Sequence, residues 1–447
     1  MSTHRKSSDD FPEGLHHAYW FSAFNALSFQ LILGSPMVLY AKSLGASATV
    51  LGIVAGMMPL LVIFQIPAAS HIGRIGFKRF VYAGWGTRVM FIFAMAVVPL
   101  TGRLLDAGNQ LAVLLGLLFC FNLSRGISSC AWLPWITALV PENLRGRYLA
   151  RDAATVSLAS CGAFLIGALG LVGTAQPWQF AALFAFSAVM GAISLSFLKR
   201  IPDVPLPVET ASGKGRVPWL AMMRHPPFHK LLRAVIAGAV AYGGLGAFTV
   251  AFLKAEARMP DSEIMLVGAV SYLGGLSSLW LLGSRLDRLG SQPVMKFCYT
   301  GWVVVVCGWL LLAGRVLPAN LTVLLPLQLV MGLLLALVNM STTRLAMAVV
   351  PVMGRNHFFA LYSVLANVTL GLAPVGWGLL IDARGAREWH LLGLDWNRYT
   401  IFFAATAGVF ALTLWFTHSL EEPKAASLEE LLRDILRTSP LRFWLRG

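Results

Sequence analysis

Asn122, Arg125, Ser129 and Trp132 recur every three to four residues inside a long apolar stretch, so a helix would carry them on one face. Arg125 is the chemically decisive member. A cation at the centre of a membrane helix costs roughly 2.5–3.5 kcal/mol on insertion scales, so it must face a wet cavity or a partner. Its guanidinium offers a planar fork that fits a carboxylate or phosphate. Asn25 and Gln30 near the start of the chain, Tyr242 in its middle, and Asn339 and Asn367 further on are the other strongly polar or aromatic candidates within apolar runs. Together these residues are assigned to binding a small-molecule substrate. As the apolar runs are drawn below, no Asp or Glu falls inside one: Asp152, Glu263 and Asp382 sit at ends, and all nine histidines lie at ends or in loops. A cavity holding an arginine and no acid favours an anionic solute. Arg88, also inside an apolar run, is assigned instead to holding backbone carbonyls. No nucleophile, base or metal-ligand set converges within the runs, so the chain is not expected to be an enzyme, and no cofactor is implied.

The elements that carry these residues follow from composition. Of 447 residues, 57% are hydrophobic and only 12% charged, about half the charge of a soluble domain, and mean hydropathy is +0.70. Apolar runs recur at about 17–41, 48–69, 80–101, 110–139, 153–173, 178–198, 231–253, 262–284, 292–314, 320–350, 357–381 and 399–418. Each can cross a hydrocarbon core of about 30 Å, and unbonded backbone is not tolerated in lipid, so each is a helix. The expected fold class is an all-α polytopic membrane protein of twelve transmembrane helices.

The net charge of +15 does not indicate a nucleic-acid partner. Most of the 35 Lys and Arg fall in the tails and in loops on the side of the N-terminus. Positive residues stay in the cytoplasm. That places both termini inside, in the inner (plasma) membrane, with the lipid bilayer as the partner of the surplus charge. The five cysteines lie in or beside apolar runs without metal or disulfide spacing and are taken as small buried hydrophobes. No cleavable signal is evident, so the first run is expected to act as an uncleaved anchor.

Two short charged turns set the internal symmetry. Gly283-Ser-Arg285-Leu-Asp287-Arg288-Leu-Gly290 joins the runs at 262–284 and 292–314. A worn copy, Ala69-Ser-His-Ile-Gly73-Arg74-Ile-Gly76-Phe-Lys78-Arg79, stands 214 positions earlier. The run at 110–139 ends in Pro141-Glu-Asn-Leu-Arg145-Gly146-Arg147, and Pro351-Val-Met-Gly-Arg355 answers it 210 positions later. On these motifs the chain resembles the major facilitator superfamily of membrane transporters, over nearly its whole length. The better signature copy is the second; in the first, Gly73 stands where the acid should be. Arg125 does not match the family's usual arginine in the fourth span. The run at 153–173 lacks the Gly-Pro core of the drug–proton antiporters.

The resemblance implies two pseudo-symmetric six-helix bundles with a central site. The organisation is then a cytoplasmic tail at 1–16, a bundle at 17–198, a cytoplasmic linker at 199–230, a second bundle at 231–419 and an amphipathic cytoplasmic tail at 420–447. It also implies gating roles for Arg74, Arg79, Arg145, Arg147, Gly283, Asp287, Arg288, Gly290 and Arg355. The expected function is secondary active or facilitative transport of a small organic anion by alternating access. A coupling ion or counter-substrate is expected, and the carrier is expected to be a monomer. The alternative is a drug or amphiphile efflux pump, or a lipid flippase, on the same fold. The tail segment Ser427-Leu-Glu-Glu430 reads as a capping box opening an amphipathic helix that rests on the inner leaflet.

Overall fold

The computed structural model describes residues 11–141, 144–204, 223–282, 290–349, 355–385, 387–391 and 393–420. Gly283, Asp287, Arg288, most of the linker and nearly all of the C-terminal tail lie outside the described residues. Among the described residues eleven helices are long and apolar enough to cross a membrane: His16–Ser43, Ala48–Ala69, Phe77–Arg103, Ala107–Leu139, Arg147–Gly170, Pro177–Leu198, Pro226–Ala255, Ser291–Ala313, Leu321–Met347, Leu361–Arg384 and Arg398–His418. A further 22-residue helix, Asp261–Leu282, runs up to the limit of the described residues. In chain order these are spans 1 to 12, the eighth being Asp261–Leu282. The surface is inverted relative to a soluble protein. Leu104, Leu169, Met90, Val304 and Trp415 are each more than 60% exposed, while Ser160, Ser187, Thr406 and Thr413 are fully buried. Three of these hydroxyls donate to backbone carbonyls, Thr413 to Val409 and Ser160 to Val156 within their own helices and Ser187 to Ser28 of span 1. A lipid-facing exterior with hydroxyl-mediated interior packing is what a bilayer selects.

The chain divides into two compact units, one of Met1–Gly213 with Thr249–Ala269, the other of Lys214–Phe248 with Val270–Gly447. In the first unit span 1 packs on spans 5 and 6, span 3 on spans 4 and 6, and span 2 on span 4. Its core, toward the N-terminal end of span 1, gathers Phe21, Trp85, Trp135 and Tyr148. In the second unit span 9 packs on spans 10 and 12, and span 7 on spans 11 and 12.

The internal repeat is visible in backbone detail. Gly76 and Gly290 both precede the helix that opens a third span of a half. Both hold a left-handed conformation, φ 87° and 89°, which a side chain rarely adopts. A Cβ on Gly126 of span 4 would overlap the Leu61 carbonyl of span 2. A Cβ on Gly332 of span 10 would likewise overlap the Ser271 carbonyl of span 8. In each unit the helices therefore cross with backbone touching backbone.

Span 7 breaks where Tyr242-Gly243-Gly244 predicts a soft point, into helices Pro226–Tyr242 and Leu245–Ala255. The glycines also permit close packing: a Cβ on Gly243 would lie 2.7 Å from that of Ala373. The Val240 carbonyl is taken by the Trp377 indole at 2.8 Å, which satisfies a polar group that the membrane could not.

Span 5 departs from the sequence expectation. The helix starts at Arg145, not near residue 153, so Asp152 lies two turns inside it rather than at its end. Hydropathy places a boundary where the apolar run begins, whereas the helix continues through Arg147 and Arg151, whose stems can lie along apolar surface.

Outside the spans, β1 (Trp389–Leu391) and β2 (Leu394–Trp396) form an antiparallel hairpin that pairs Trp389 with Trp396. Asp395 on β2 meets His390 Nδ1 at 2.9 Å and Arg315 at 3.4 Å. Arg315 also reaches Glu388 at 3.3 Å.

Candidate functional site

In the first unit, spans 1, 3 and 4 bring three candidates together. The Arg88 guanidinium is 4% exposed and donates to Asn25 Oδ1 at 3.2 Å. It lies 4.4 Å above the Trp85 ring and 5.3 Å from that of Phe121. Trp85 Nε1 donates to the same Asn25 oxygen at 3.1 Å. Arg88 therefore holds a side chain and two aromatic faces, not the backbone carbonyls to which the sequence assigned it. Its Nε remains without a partner. Arg125 is half-buried and lies within electrostatic reach of Arg88. Among the described residues neither arginine faces a carboxylate.

The rest of the predicted stripe separates. Asn122 is 1% exposed and returns its amide to the Leu118 carbonyl of its own helix at 3.0 Å. Ser129 donates to the Gly126 carbonyl at 3.1 Å. Trp132 opens a new helix, Trp132–Leu139, and lies 4.8 Å from the Phe21 ring at a 45° tilt rather than continuing the Arg125 face. Gln30 reaches Ser160 of span 5 at 3.0 Å, away from the arginines.

The second unit holds a cavity of about 300 Å³. Tyr242, Asn339 and Asn367, three of the predicted residues, line it together with Tyr299, Trp302, Tyr362 and Phe410. Trp302 stacks on Phe410 at 5.1 Å and 6° and meets Tyr242 edge-on at 5.8 Å. Asn367 donates to the Ser363 carbonyl at 2.8 Å, which leaves its carbonyl oxygen available. Thr342 Oγ1, also in the lining, has no partner. Among the described residues no charged side chain is in this lining. The cavity can therefore stack a planar group and hydrogen-bond a neutral one. Sequence reasoning missed the four aromatic residues at 299, 302, 362 and 410. An aromatic at helical spacing carries the same signal in a cavity as in a packed core, and only the joining of spans 7, 9, 10, 11 and 12 tells them apart.

The predicted gating residues are spread along the loops and helix ends. Arg74 and Arg79 are exposed on either side of Gly76, and Lys78 donates to the Ile201 carbonyl at 2.8 Å. Arg145 caps the end of span 4, donating to the carbonyls of Val140 at 3.3 Å and Thr137 at 3.0 Å. Arg147 lies 5.8 Å over the Phe11 ring. Gly290 caps span 9, and Arg355 opens the helix Arg355–Arg384.

Residues 234–446 match the sequence profile of the Major Facilitator Superfamily. A stretch of 114 residues is 30% identical to facilitated glucose transporter protein 1 of Caenorhabditis elegans, covering 26% of this chain and 22% of that protein. The chain thus spans about a fifth of the curated relative that it matches. Among solved structures, a mutant of the nucleoside transporter NupG superposes with a TM-score of 0.72 at 12% identity, over 92% of this chain and all of that one. A peptide transporter of the POT type, solved with sulfate, gives 0.67 at 12% identity over 94% and 96%. A bacterial homologue of the iron transporter ferroportin gives 0.64 at 14% identity over 91% and 97%. Residues 234–446 thus carry the Major Facilitator Superfamily profile, and the chain is a multi-pass membrane protein with the fold of these solved transporters.

Proposed function

We propose that this transporter moves a small organic solute bearing an anionic group, by secondary active or facilitative transport with alternating access between two six-helix halves. The Arg88–Arg125 pair carries the proposal. Two guanidinium groups sit inside the membrane span with no carboxylate opposite either among the described residues. Such a pair is costly empty and is relieved by a carboxylate or phosphate. The reading includes a monomeric, non-enzymatic carrier with both termini cytoplasmic in the inner membrane, and a coupling ion or counter-substrate.

The neutral aromatic cavity of the second unit favours a second reading, in which the solute is planar and uncharged, as the nucleosides carried by the structural neighbour NupG would be. Amphiphile efflux or lipid flipping is the remaining alternative. A thermal-shift screen of purified protein against organic anions, nucleosides and sugars separates these, because a ligand of the folded state raises its melting point. Uptake into vesicles of the solutes that shift it then follows. Stabilisation by anions alone supports the proposal. Stabilisation by uncharged nucleosides, undiminished in Arg125→Gln, overturns it in favour of the second reading. Lipid translocation without solute uptake overturns both.

A further inference from the structure

Asp152, which neither arginine faces, has an environment of its own where spans 1 and 5 pack. Tyr148 and Asp152 are one turn apart on span 5 and share a face, as do Tyr19 and Ser22 on span 1. The Tyr19 and Tyr148 rings stack at 5.1 Å and 29°, and Ser22, 6% exposed, interacts with the Asp152 carboxyl. Three polar atoms in this small cluster are buried without a hydrogen-bond partner: Asp152 Oδ1, the hydroxyl of Tyr19 and that of Tyr148, which is 2% exposed. Neither Arg147 nor Arg151 neutralises the acid. Each lies instead against the Phe11 ring, at 5.8 and 5.5 Å, on the same helix. The titratable and charged groups around Asp152 are therefore Tyr19 from span 1, and Tyr148, Arg147 and Arg151 from its own helix, the two arginines acting on Tyr19.

A buried carboxylate with an orphaned oxygen is an unstable arrangement unless a positive charge or a donor reaches it. An ionised carboxylate only accepts, a protonated carboxyl both donates and accepts, and a hydroxyl does either. The cluster can then be satisfied in two ways. With a proton on Asp152, the carboxyl donates to a hydroxyl of Ser22 or a tyrosine. Without it, the hydroxyls of Ser22, Tyr148 and Tyr19 turn toward the carboxylate. The donor set is all oxygen, is shared between two spans, and differs between its states by one proton.

We propose that Asp152, with the hydroxyls of Ser22, Tyr19 and Tyr148, is a proton-binding site in the first unit. It rests on the transporter reading only in this, that a carrier can use the site as its coupling position; intramembrane carboxylates mark proton pathways in general. Loading and release would change how spans 1 and 5 are bonded to one another, so the proton state is legible to the packing of the unit.

The test uses the full chain in phosphatidylethanolamine–phosphatidylglycerol vesicles and needs no solute. Infrared difference spectra are taken as the pH is raised from acid to alkaline, for the parent and for Asp152→Asn and Tyr148→Phe. The expected result is a protonated-carboxyl band that disappears with rising pH in the parent, is missing in Asp152→Asn and is shifted in frequency in Tyr148→Phe. Tyr148→Phe keeps the carboxyl and guards against a variant that merely fails to fold. A band that survives in full in Asp152→Asn, or a parent with no titrating carboxyl band, overturns the proposal. So does a melting point raised by sodium chloride over choline chloride in the parent but not in Asp152→Asn, which would make the site one for a metal cation. Because no solute enters the measurement, failure of the anion reading leaves this result untouched, and failure here leaves that reading standing.

Discussion

Replacing Arg125 by lysine and by glutamine separates a binding arginine from a structural one. The Arg125 guanidinium makes no hydrogen bond or ion pair among the described residues, and its electrostatic neighbour Arg88 is of like charge. Nothing in the fold is therefore lost with the guanidinium. Glutamine should raise the melting temperature, because it removes a half-buried cation whose insertion cost at mid-span is of order 2.5–3.5 kcal/mol for a fully exposed-to-lipid position and relieves its repulsion of Arg88. Lysine keeps the charge and should leave stability nearly unchanged. For binding the order differs. Lysine cannot reproduce two parallel hydrogen bonds to a carboxylate or phosphate, and loss of one charge-assisted bond costs about 2 kcal/mol. At 1.4 kcal/mol per decade this is a roughly thirtyfold rise in Kd, with a larger rise for glutamine. Calorimetric titration with an anion found in the thermal screen, alongside melting curves, measures both quantities. If both variants melt lower and the surviving protein binds with parent affinity, Arg125 is structural and the reasoning from its missing partner is refuted.

Arg88→Gln should behave in the opposite sense. It loses the bond to Asn25 and the face of Trp85, so the melting temperature should fall, and an unchanged value would remove Arg88 from the core of the unit. Gly332→Ala should destabilise by the about 1–3 kcal/mol typical of overpacking, since its Cβ would meet the Ser271 carbonyl; Gly126→Ala should match it in the first unit, and a neutral effect on melting for either would show that the crossing yields. The Asp395 carboxyl is held below the ordinary aspartate value, first by the His390 hydrogen bond and then by the Arg315 charge. Its contribution to the hairpin is thus fully present above the ordinary value near 3.9 and lost as pH falls through the lowered folded one. The difference in near-ultraviolet circular dichroism between the parent and Trp389→Phe should hold at neutral and mildly acid pH and fade only below that, and Asp395→Asn should abolish the acid transition. Single cysteines on a cysteine-free background should react with an impermeant maleimide in intact cells at residue 256 but not at residue 203; labelling at 203 would invert the topology.

The spans were legible because length and apolarity suffice where the solvent is lipid, whereas the glycines at 243 and 244 fit a bend and close packing equally well, and the sequence did not choose between them. Asp152 was misjudged for the same reason that the spans were found. Hydropathy marks where apolar residues begin, and snorkelling arginines carry a helix past that mark. Helical spacing put Asn122 and Arg125 on one face, but a three-residue step turns the helix well short of a full circle, and Asn122 lands in the core. Arg88 was misassigned because what decides its role, Asn25 and Phe121, lies 63 and 33 positions away in sequence, beyond any local pattern. The lining of the second-unit cavity was half visible: the amides stood out in apolar runs, while Tyr299, Trp302 and Phe410 were indistinguishable from filling.

The crossings at Gly126 and Gly332 have a mechanical consequence. Helices joined by interlocked side chains move in jumps, since each knob must leave one hole before it enters another. Where bare backbone rides on bare backbone, as span 4 does on span 2 and span 10 on span 8, there is no tooth to disengage. Such a contact can pivot through small angles continuously, like a bearing, while the toothed contacts around it keep their register. Each unit thus carries its own fulcrum at the matching place, one inherited by each half of the repeat.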